Sequence, residues 1–180
     1  TVSISYRLGF DGFGWIADAP LNRGVLDWLL ALEWVRDNIA AFGGDPARVT
    51  IAGQSAGGGA VLTLLGMPSA QPLIAGVYSI SGAAADVTLA EAEEFGRRLA
   101  TLGGVEPTRA GLSTLSESRV LESQKRLTDP APGGDPMGML RSFIEDGLSL
   151  GPVIDGELIP HRTVDAIAAG IGADKPLVPG

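Results

Sequence analysis

The chain has 180 residues and carries 13 Lys and Arg against 21 Asp and Glu, which gives a formal net charge of -8 at pH 7. This length suits one domain with a substantial core, and a content of 45% hydrophobic and 19% charged residues is globular rather than disordered. The negative charge argues against a generic partner of nucleic acids or anionic membranes, because both attract basic proteins. Cysteine is absent, which excludes disulfides, zinc–thiolate sites and a cysteine nucleophile. No apolar run approaches the roughly 18 residues that a membrane-spanning helix needs.

The first half of the chain alternates strand patterns with helix patterns. Apolar side chains alternate with serines near the start, and two later segments are short, largely apolar runs. Between these runs, apolar residues recur at steps of three and four, which is the helical period. The predicted strands are 1–7, 48–52 and 74–80, and the predicted helices are 25–42 and a segment that ends near 66. A glycine-rich turn is expected over 8–14, and Gly43 is expected to end the first helix.

The second half of the chain is mainly helical in pattern. Its predicted helices are 89–102, 117–127 and 163–169, with an extended piece at 151–154 and a loop rich in Pro and Gly at 129–136. The order strand, helix, strand, helix, strand in the first half predicts a parallel sheet with right-handed crossovers. The fold class is therefore predicted as α/β, with a mostly parallel sheet, flanking helices and a helical excursion in the second half.

One short motif points to chemistry. Residues 53–57 read Gly-Gln-Ser-Ala-Gly, which matches the pattern G-x-S-x-G. The match alone is weak, because about 0.25 such matches arise by chance in a chain of this composition. Its position adds weight, since the motif lies between a predicted strand and a predicted helix. That is where an α/β-hydrolase carries its nucleophile elbow, a strained turn that exposes a reactive serine.

The elbow assigns a role to each of its residues. Ser55 would be the nucleophile, and Gly53 and Gly57 would leave room where side chains would collide. The free N–H groups at the start of the following helix would stabilise developing negative charge, and the N–H of Ala56 is one expected oxyanion donor. The competing interpretation is a tight turn with a capping serine. The glycine run at 57–59 lacks the frame of a phosphate-binding loop, so close packing of a helix against a strand explains it better.

Several segments, in order, resemble the type-B carboxylesterases. The matching segments follow one another closely over residues 1–82 and are sparse afterwards, although 151–156 also resembles the family. The segments that carry it are Tyr6-Arg7-Leu8-Gly9, Gly24-Val25-Leu26-Asp27, Ala31-Leu32-Glu33-Trp34-Val35-Arg36-Asp37-Asn38-Ile39, Phe42-Gly43-Gly44-Asp45-Pro46 and Gly53-Gln54-Ser55-Ala56-Gly57-Gly58. Such a series is specific to this family, which comprises serine hydrolases of carboxylic esters and some non-catalytic adhesion proteins.

The resemblance implies a partial α/β-hydrolase that hydrolyses carboxylic esters through Ser55 and an acyl-enzyme intermediate. The substrate would be a small-molecule carboxylic ester, with no cofactor and no metal ion. Ser81, in Ser79-Ile80-Ser81-Gly82, resembles the family's Q-S-G segment, where a second serine supports the catalytic triad by a hydrogen bond. Ile80 departs from the family's Gln, and an ordinary serine at a strand end explains Ser81 equally well.

The resemblance also implies that parts of the active site lie outside these 180 residues. The triad acid and histidine are expected beyond residue 180, and the segment that supplies the other oxyanion N–H groups is expected before Thr1. In the family's sheet, a strand preceding Thr1 lies between the predicted strands 1–7 and 48–52. His161 is the single histidine of the chain. It follows Ser55, as a triad histidine does in this fold, but its setting matches a surface turn of the family.

A single partial domain over 1–180 is therefore predicted, with a sheet core at 1–82, a helical excursion at 83–150 and a return toward the sheet at 151–180. This chain is expected to be weakly active or inactive by itself, because it carries a nucleophile without its base. Two alternatives are open: a non-catalytic interaction protein of the same fold, which an intact G-x-S-x-G disfavours, and a serine hydrolase of amides or thioesters. The absence of cysteine favours the family's bacterial, cytoplasmic members over its disulfide-bonded secreted ones.

Overall fold

The structure, a computed structural model, describes residues 1–128 and 149–180. The chain divides into two compact units. The first, here called the sheet unit, consists of Thr1–Tyr6, Gly24–Ala85 and Ile154–Gly180, and the second, the helical unit, consists of Arg7–Arg23 and Asp86–Val153. The single domain stays a prediction, and the loop expected over 129–136 lies outside the described residues.

The strands and helices fall close to the segments that the sequence patterns indicate. The strands are β1 (Thr50–Gln54), β2 (Gly76–Ile80), β3 (Val87–Thr88), β4 (Val153–Ile154) and β5 (Leu177–Pro179). The helices are α1 (Gly9–Phe13), α2 (Arg23–Asn38), α3 (Ala56–Leu65), α4 (Leu89–Gly103), α5 (Arg109–Leu112), α6 (Glu117–Thr128) and α7 (Thr163–Ala168). Short 3-10 turns cover Ile39–Phe42, Pro46–Arg48 and Pro68–Leu73. The segment 8–14, expected as a turn, contains the short helix α1 instead.

A parallel sheet forms the centre of the sheet unit, in the strand order β1-β2-β5. β1 and β2 pair along their whole length, from Thr50 opposite Gly76 to Gln54 opposite Ile80, and β5 pairs with the other side of β2. The helix α3 follows β1 and packs on both β1 and β2. The predicted α/β class is therefore confirmed. Because the strands are parallel, their carboxyl ends meet at one edge of the sheet, where ligands bind in folds of this class.

Apolar side chains of α3 stabilise the sheet. Val61, Leu64 and Leu65 of this helix are buried, as are Ile51 in β1 and Val77 in β2. The helix residues recur at steps of three and four, so they form one face. Each such side chain contributes about 1.5–3 kcal/mol when it moves from water into a core. This packing fixes the start of α3 relative to the ends of both strands.

Residues 1–8 do not form the strand that the alternation over 1–7 predicts. A strand is stable only when its backbone groups pair with a neighbour, and within the described residues β1 pairs with β2 alone. A cavity of about 600 Å³ is lined by residues of 1–6, α2, β1 and α3, but by none of β2. It therefore lies beside the unpaired edge of β1, the side on which the family resemblance places a further strand.

The helix α2 matches the predicted helix 25–42 except in its last turn. The regular helix ends at Asn38, a 3-10 turn continues to Phe42, and Gly43 then adopts a left-handed φ of 78°. Gly43 thus ends the helix as predicted, because glycine reaches this conformation without strain. On the inner face of α2 the buried ring of Trp28 stands edge-on to Tyr6, with ring centroids 5.4 Å apart. This contact anchors the end of the segment 1–6.

The helical unit is built on α4 and α6, which confirm the predicted helices 89–102 and 117–127. Its buried core consists of Phe10, Phe95, Leu99, Ala100 and Leu112. A capping box begins α4. The Thr88 hydroxyl accepts a hydrogen bond from the Glu91 N–H, and the Glu91 carboxylate accepts one from the Thr88 N–H. The Thr88 hydroxyl also donates a bond of 2.6 Å to the Glu91 carboxylate, and this bond, followed by the one from the Thr88 N–H, lowers the pKa of Glu91 below its ordinary value.

Candidate active site

Ser55 stands between β1 and α3 in a backbone conformation that serine rarely adopts. Its φ is 56° and its ψ is -117°. Holding a residue other than glycine at a positive φ costs about 1–3 kcal/mol, and such strain is concentrated at functional sites. The sharp turn from strand to helix leaves the Ser55 side chain exposed. This is the geometry of a nucleophile elbow.

The end of β2 holds the elbow in place. The Ser55 N–H donates a hydrogen bond of 2.9 Å to the Ile80 carbonyl, and so extends the ladder between β1 and β2 by one residue. The Ser55 carbonyl accepts a bond of 2.9 Å from the Gly59 N–H, which starts the hydrogen-bond pattern of α3. Both backbone groups of Ser55 are satisfied, so the strained residue is fixed from the strand side and from the helix side.

Close backbone contacts require glycine at two positions of this turn. A Cβ atom on Gly53 would overlap the backbone of Gly57. A Cβ atom on Gly58 would lie 2.7 Å from the Cα atom of Gly82, closer than real Cβ contacts come, and 2.8 Å from the Ile80 carbonyl oxygen. The glycine run therefore packs α3 against the end of β2 and the residues after it, as the sequence predicts.

Gly57 departs from its expected role. Apart from the neighbouring residues and backbone of its own helix, a Cβ atom built on Gly57 meets no atom of the described residues within 4 Å. Within the described residues Gly57 therefore avoids no collision of its own side chain, and it borders the cavity beside β1. What the motif needs at this position is the approach of the Gly57 backbone to Gly53.

Three N–H groups at the start of α3 have no acceptor within the described residues. They belong to Ala56, Gly57 and Gly58. The first turn of a helix leaves such groups unpaired, and their partial positive charge favours an anion. The Ala56 N–H follows Ser55 directly. In a nucleophile elbow this N–H donates to the oxyanion that forms when the serine attacks a carbonyl.

Ser81 follows β2 as Ser55 follows β1, and it too has a positive φ, of 47°. Its N–H donates a bond of 2.5 Å to the Gly180 carbonyl. The side chain is exposed, and its hydroxyl has no hydrogen-bond partner within residues 1–128 and 149–180. Support of a catalytic triad by Ser81 stays a prediction.

His161 lies toward the end of α3 that is remote from Ser55. The helix α7 begins two residues after His161 and packs on α3, where Gly66 approaches Thr163 and Ala166. The 10 residues of α3 rise by about 15 Å, whereas a general base must come within about 3 Å of the hydroxyl. The imidazole is exposed and makes no hydrogen bond or ion pair with other described residues. The interpretation as a surface turn explains this setting better than a catalytic role.

The acidic residues near His161 also form part of a turn. The Asp155 carboxylate accepts hydrogen bonds from the N–H groups of Glu157 and Ile159. In the part of the chain that the structure describes, no group of three or more His, Cys, Asp or Glu side chains could hold a metal ion. No helix in those same ranges is long and apolar enough to span a bilayer.

Sequence reasoning missed one serine beside the elbow. Ser79 is only 4% exposed, and its hydroxyl donates a bond of 3.1 Å to the Gly58 carbonyl. A signal was available, because Ser79 is a small polar residue inside a largely apolar strand pattern. A buried hydroxyl requires a hydrogen-bond partner, and the following helix is the element that offers one.

The family model described as the carboxylesterase family matches the chain over residues 1–180. The chain belongs to this family. It is 34% identical over 184 residues to the para-nitrobenzyl esterase of Bacillus subtilis (strain 168), a match that covers 99% of this chain and 36% of that esterase. It is also 36% identical over 174 residues to a cholinesterase of Mus musculus, covering 89% of this chain and 27% of that protein.

Solved structures of carboxylesterases share the fold. One described as a PNB esterase superposes with a TM-score of 0.80 at 31% identity, over 97% of this chain and 36% of that one. One described as a thermophylic PNB esterase gives a TM-score of 0.81 at 31% identity, over 97% and 35%. These matches confirm the resemblance and the predicted α/β-hydrolase fold. The chain spans about a third of the length of these esterases.

Proposed function

We propose that this chain carries the nucleophile of a carboxylic ester hydrolase. The Ser55 oxygen attacks the ester carbonyl carbon, the bond to the alcohol oxygen breaks, and the protonated alcohol leaves. The acyl group is then held on Ser55 as an ester. A water molecule attacks this acyl-enzyme, releases the carboxylic acid and returns the proton to the Ser55 oxygen.

The conformation of Ser55 is the observation that carries the proposal. An ordinary capping serine has extended backbone angles, and its side-chain oxygen accepts a hydrogen bond from the first turn of the helix. Ser55 has a φ of 56° and makes no such side-chain bond. Strain at an exposed serine that does not cap its helix favours the nucleophile over the capping interpretation.

The start of α3 would provide part of the oxyanion hole. The Ala56 N–H has no partner within the described residues and directly follows the nucleophile. Such a donor is fixed before the reaction begins, so it stabilises the negative charge of the tetrahedral intermediate without reorganisation. Loss of one donor of this kind slows hydrolysis by about 100- to 1000-fold.

The general base and its acid are proposed to lie beyond residue 180. β5 pairs with β2, so the chain reaches the sheet edge that carries Ser55 and Ser81. Gly180 bonds there to the backbone of Ser79 and Ser81. In this fold the acid follows the serine along the chain, and the histidine comes last. The position of β5 supports an acid that enters the site from this edge.

The test is hydrolysis of matched p-nitrophenyl esters, thioesters and p-nitroanilides by the whole protein isolated from its own cells. Esters should be hydrolysed fastest, and Ser55→Ala should lower kcat by at least about 1000-fold. Unchanged turnover in Ser55→Ala would contradict the proposal. Faster cleavage of anilides or thioesters would assign the site to that chemistry. No turnover of any of them would favour a non-catalytic interaction protein.

A further inference from the structure

We propose that Ser79 is a positioning residue for the nucleophile, acting through a buried hydrogen bond that ties the first turn of α3 to the end of β2. The inference deepens the proposed function and rests on Ser55 being the nucleophile. Ser79 does not belong to the G-x-S-x-G motif. Its hydroxyl touches no substrate and acts through the backbone of Gly58.

The pleat of β2 points Ser79 toward α3. Tyr78, its neighbour in the strand, is exposed, whereas Ser79 is buried, as expected when successive side chains face opposite sides of a sheet. The Ser79 hydroxyl meets the Gly58 carbonyl at 3.1 Å. Gly58 is the third residue of α3 and lies three positions after Ser55, within the turn that carries the free N–H groups.

The bond from Ser79 is an addition to the hydrogen bonds of the helix. A carbonyl oxygen has two lone pairs, so the Gly58 carbonyl can accept from Ser79 and still take part in the ladder of α3. The helix therefore does not need Ser79 in order to form. What the hydroxyl determines is the place where the first turn of α3 rests against β2.

Two backbone contacts complete this attachment. The Ser55 N–H donates to the Ile80 carbonyl, and the backbones of Gly58 and Gly82 come so close that neither tolerates a side chain. A Cβ atom on Gly82 would also overlap the Ser79 hydroxyl oxygen. Glycine at position 82 therefore leaves the space in which the Ser79 hydroxyl lies. Ser79 is the side-chain contribution to this attachment.

The attachment bears on the rate of acylation. The nucleophile and the Ala56 N–H lie on one rigid turn, and a displacement of about 1 Å in a reacting group can cost about 100-fold in rate. Loss of a single tie should displace the turn by less than this. We expect Ser79→Ala to slow acylation by about tenfold. Binding should be unchanged, because Ser79 is buried and out of reach of a substrate.

The experiment measures phosphonylation of Ser55 by a fluorophosphonate at saturating concentrations, in the whole protein isolated from its own cells. The matched control is Thr63→Val. Thr63 is 2% exposed, and its hydroxyl donates a bond of 3.1 Å to the Gly59 carbonyl, within α3 itself. Both changes remove a buried hydroxyl from a carbonyl in the first turns of α3. Only Ser79→Ala removes a link between the helix and β2.

The expected result is a tenfold lower maximal rate for Ser79→Ala at an unchanged half-saturation concentration, a near wild-type rate for Thr63→Val, and similar melting temperatures for both variants. Ser79→Thr, which keeps the hydroxyl, should recover at least half of the rate. If Ser79→Ala does not fold, Ser79→Cys, which has a slightly larger side chain and a weaker donor, should give an intermediate rate.

Three outcomes would overturn the proposal, and they are distinguishable. Wild-type rates in Ser79→Ala or Ser79→Cys, with Ser55 still labelled, would show that Ser79 has no positioning role and would leave the proposed function intact. Equal slowing in Thr63→Val would likewise reduce Ser79 to general packing. An unlabelled Ser55 in the wild-type protein would instead remove the proposed function, and the positioning role with it.

Discussion

The two flanks of β1 are organised in opposite ways. On the flank toward β2, the strands pair over 5 residues, the Ser55 N–H extends the ladder, and glycines bring α3 into backbone contact with the end of β2. On the other flank, a cavity of about 600 Å³ lies beside an edge that no described strand covers. The segment 1–6 borders this cavity without forming a strand.

The difference shows which flank of β1 holds the nucleophile in its strained conformation within the described residues. Within the described residues, Ser55 keeps its positive φ through contacts with β2 and α3, while the other flank of β1 has no strand partner. A strained backbone conformation persists only where several surrounding contacts each hold it in place. Here the hydrogen bond to Ile80, the glycine contacts and the Ser79 hydroxyl provide that redundancy on one flank.

The largest effect should come from adding one methyl group where β1 is in backbone contact with the first turn of α3. Gly53→Ala would push a Cβ atom into the backbone of Gly57, so the turn must shift. Overpacking of this kind costs about 1–3 kcal/mol, which lowers Tm by roughly 2–12 °C in a chain of this length. The measurement is thermal unfolding followed by circular dichroism.

The same methyl group on the open flank is the matched control. In the part of the chain that the structure describes, the methyl group of Gly57→Ala meets no atom outside its own helix, and the change replaces glycine inside a helix, where alanine is more favourable by about 0.5–1 kcal/mol. Its Tm should be equal to or higher than that of the wild type. Equal decreases of Tm in Gly53→Ala and Gly57→Ala would contradict the expected difference between the two positions.

A smaller effect is expected in the segment 1–6. Tyr6→Ala removes the edge-on contact with Trp28, and aromatic pairs of this kind contribute about 0.5–1.5 kcal/mol. Ile4→Ala changes a side chain that is 43% exposed and should alter the free energy of unfolding by less than about 0.5 kcal/mol. Urea unfolding of both variants measures the difference. A larger loss in Ile4→Ala would mean that the segment is held as a strand.

The smallest effect concerns Asp45, which also borders the cavity. Its carboxylate accepts hydrogen bonds from the Ala47 N–H and from Arg48, and these hold the pKa of Asp45 below its ordinary value, with the Ala47 bond as the main cause. Because the pKa of Asp45 is lower in the folded protein than in the unfolded chain, its carboxylate stabilises the fold at any pH above the ordinary pKa. This stabilisation is lost as the pH falls through the lowered pKa.

Asp45→Asn should therefore melt slightly below the wild type at neutral pH. The difference should shrink as the pH falls through the lowered pKa of Asp45, because the wild-type carboxylate then becomes neutral. Melting curves across the acidic range measure it. A Tm difference that grows as the pH falls would contradict the prediction that the charged Asp45 carboxylate stabilises the fold.

Local patterns predicted most of the fold, and the exceptions have physical causes. The period of apolar residues gave α2, α4, α6 and α7 within a few residues, because one buried face decides where a helix forms. The alternation of apolar and polar residues over 1–7 is as clear a pattern as the helical periods. It failed because a strand also needs a partner, and pairing is a property of the sheet rather than of the segment.

The candidate site also has features that local sequence predicts and features that depend on contacts across the fold. The turn at Ser55 was predictable, because a five-residue motif between a strand and a helix is a sequence signal for this strained turn. The open space at Gly57 and the bond from Ser79 to Gly58 were not, because each depends on what lies across the fold from it. For Ser79 the only sequence signal is one small polar residue in a largely apolar strand.

The central claim is that Ser55 is the nucleophile, and intact-mass analysis after exposure to a fluorophosphonate tests it most directly. The whole protein should gain one adduct, peptide mapping should place it on Ser55, and Ser55→Ala should gain none. The 180-residue chain should react at least about 100-fold more slowly, because its own histidine lies toward the far end of α3. An adduct on another serine, or equal labelling of Ser55→Ala, would contradict the claim.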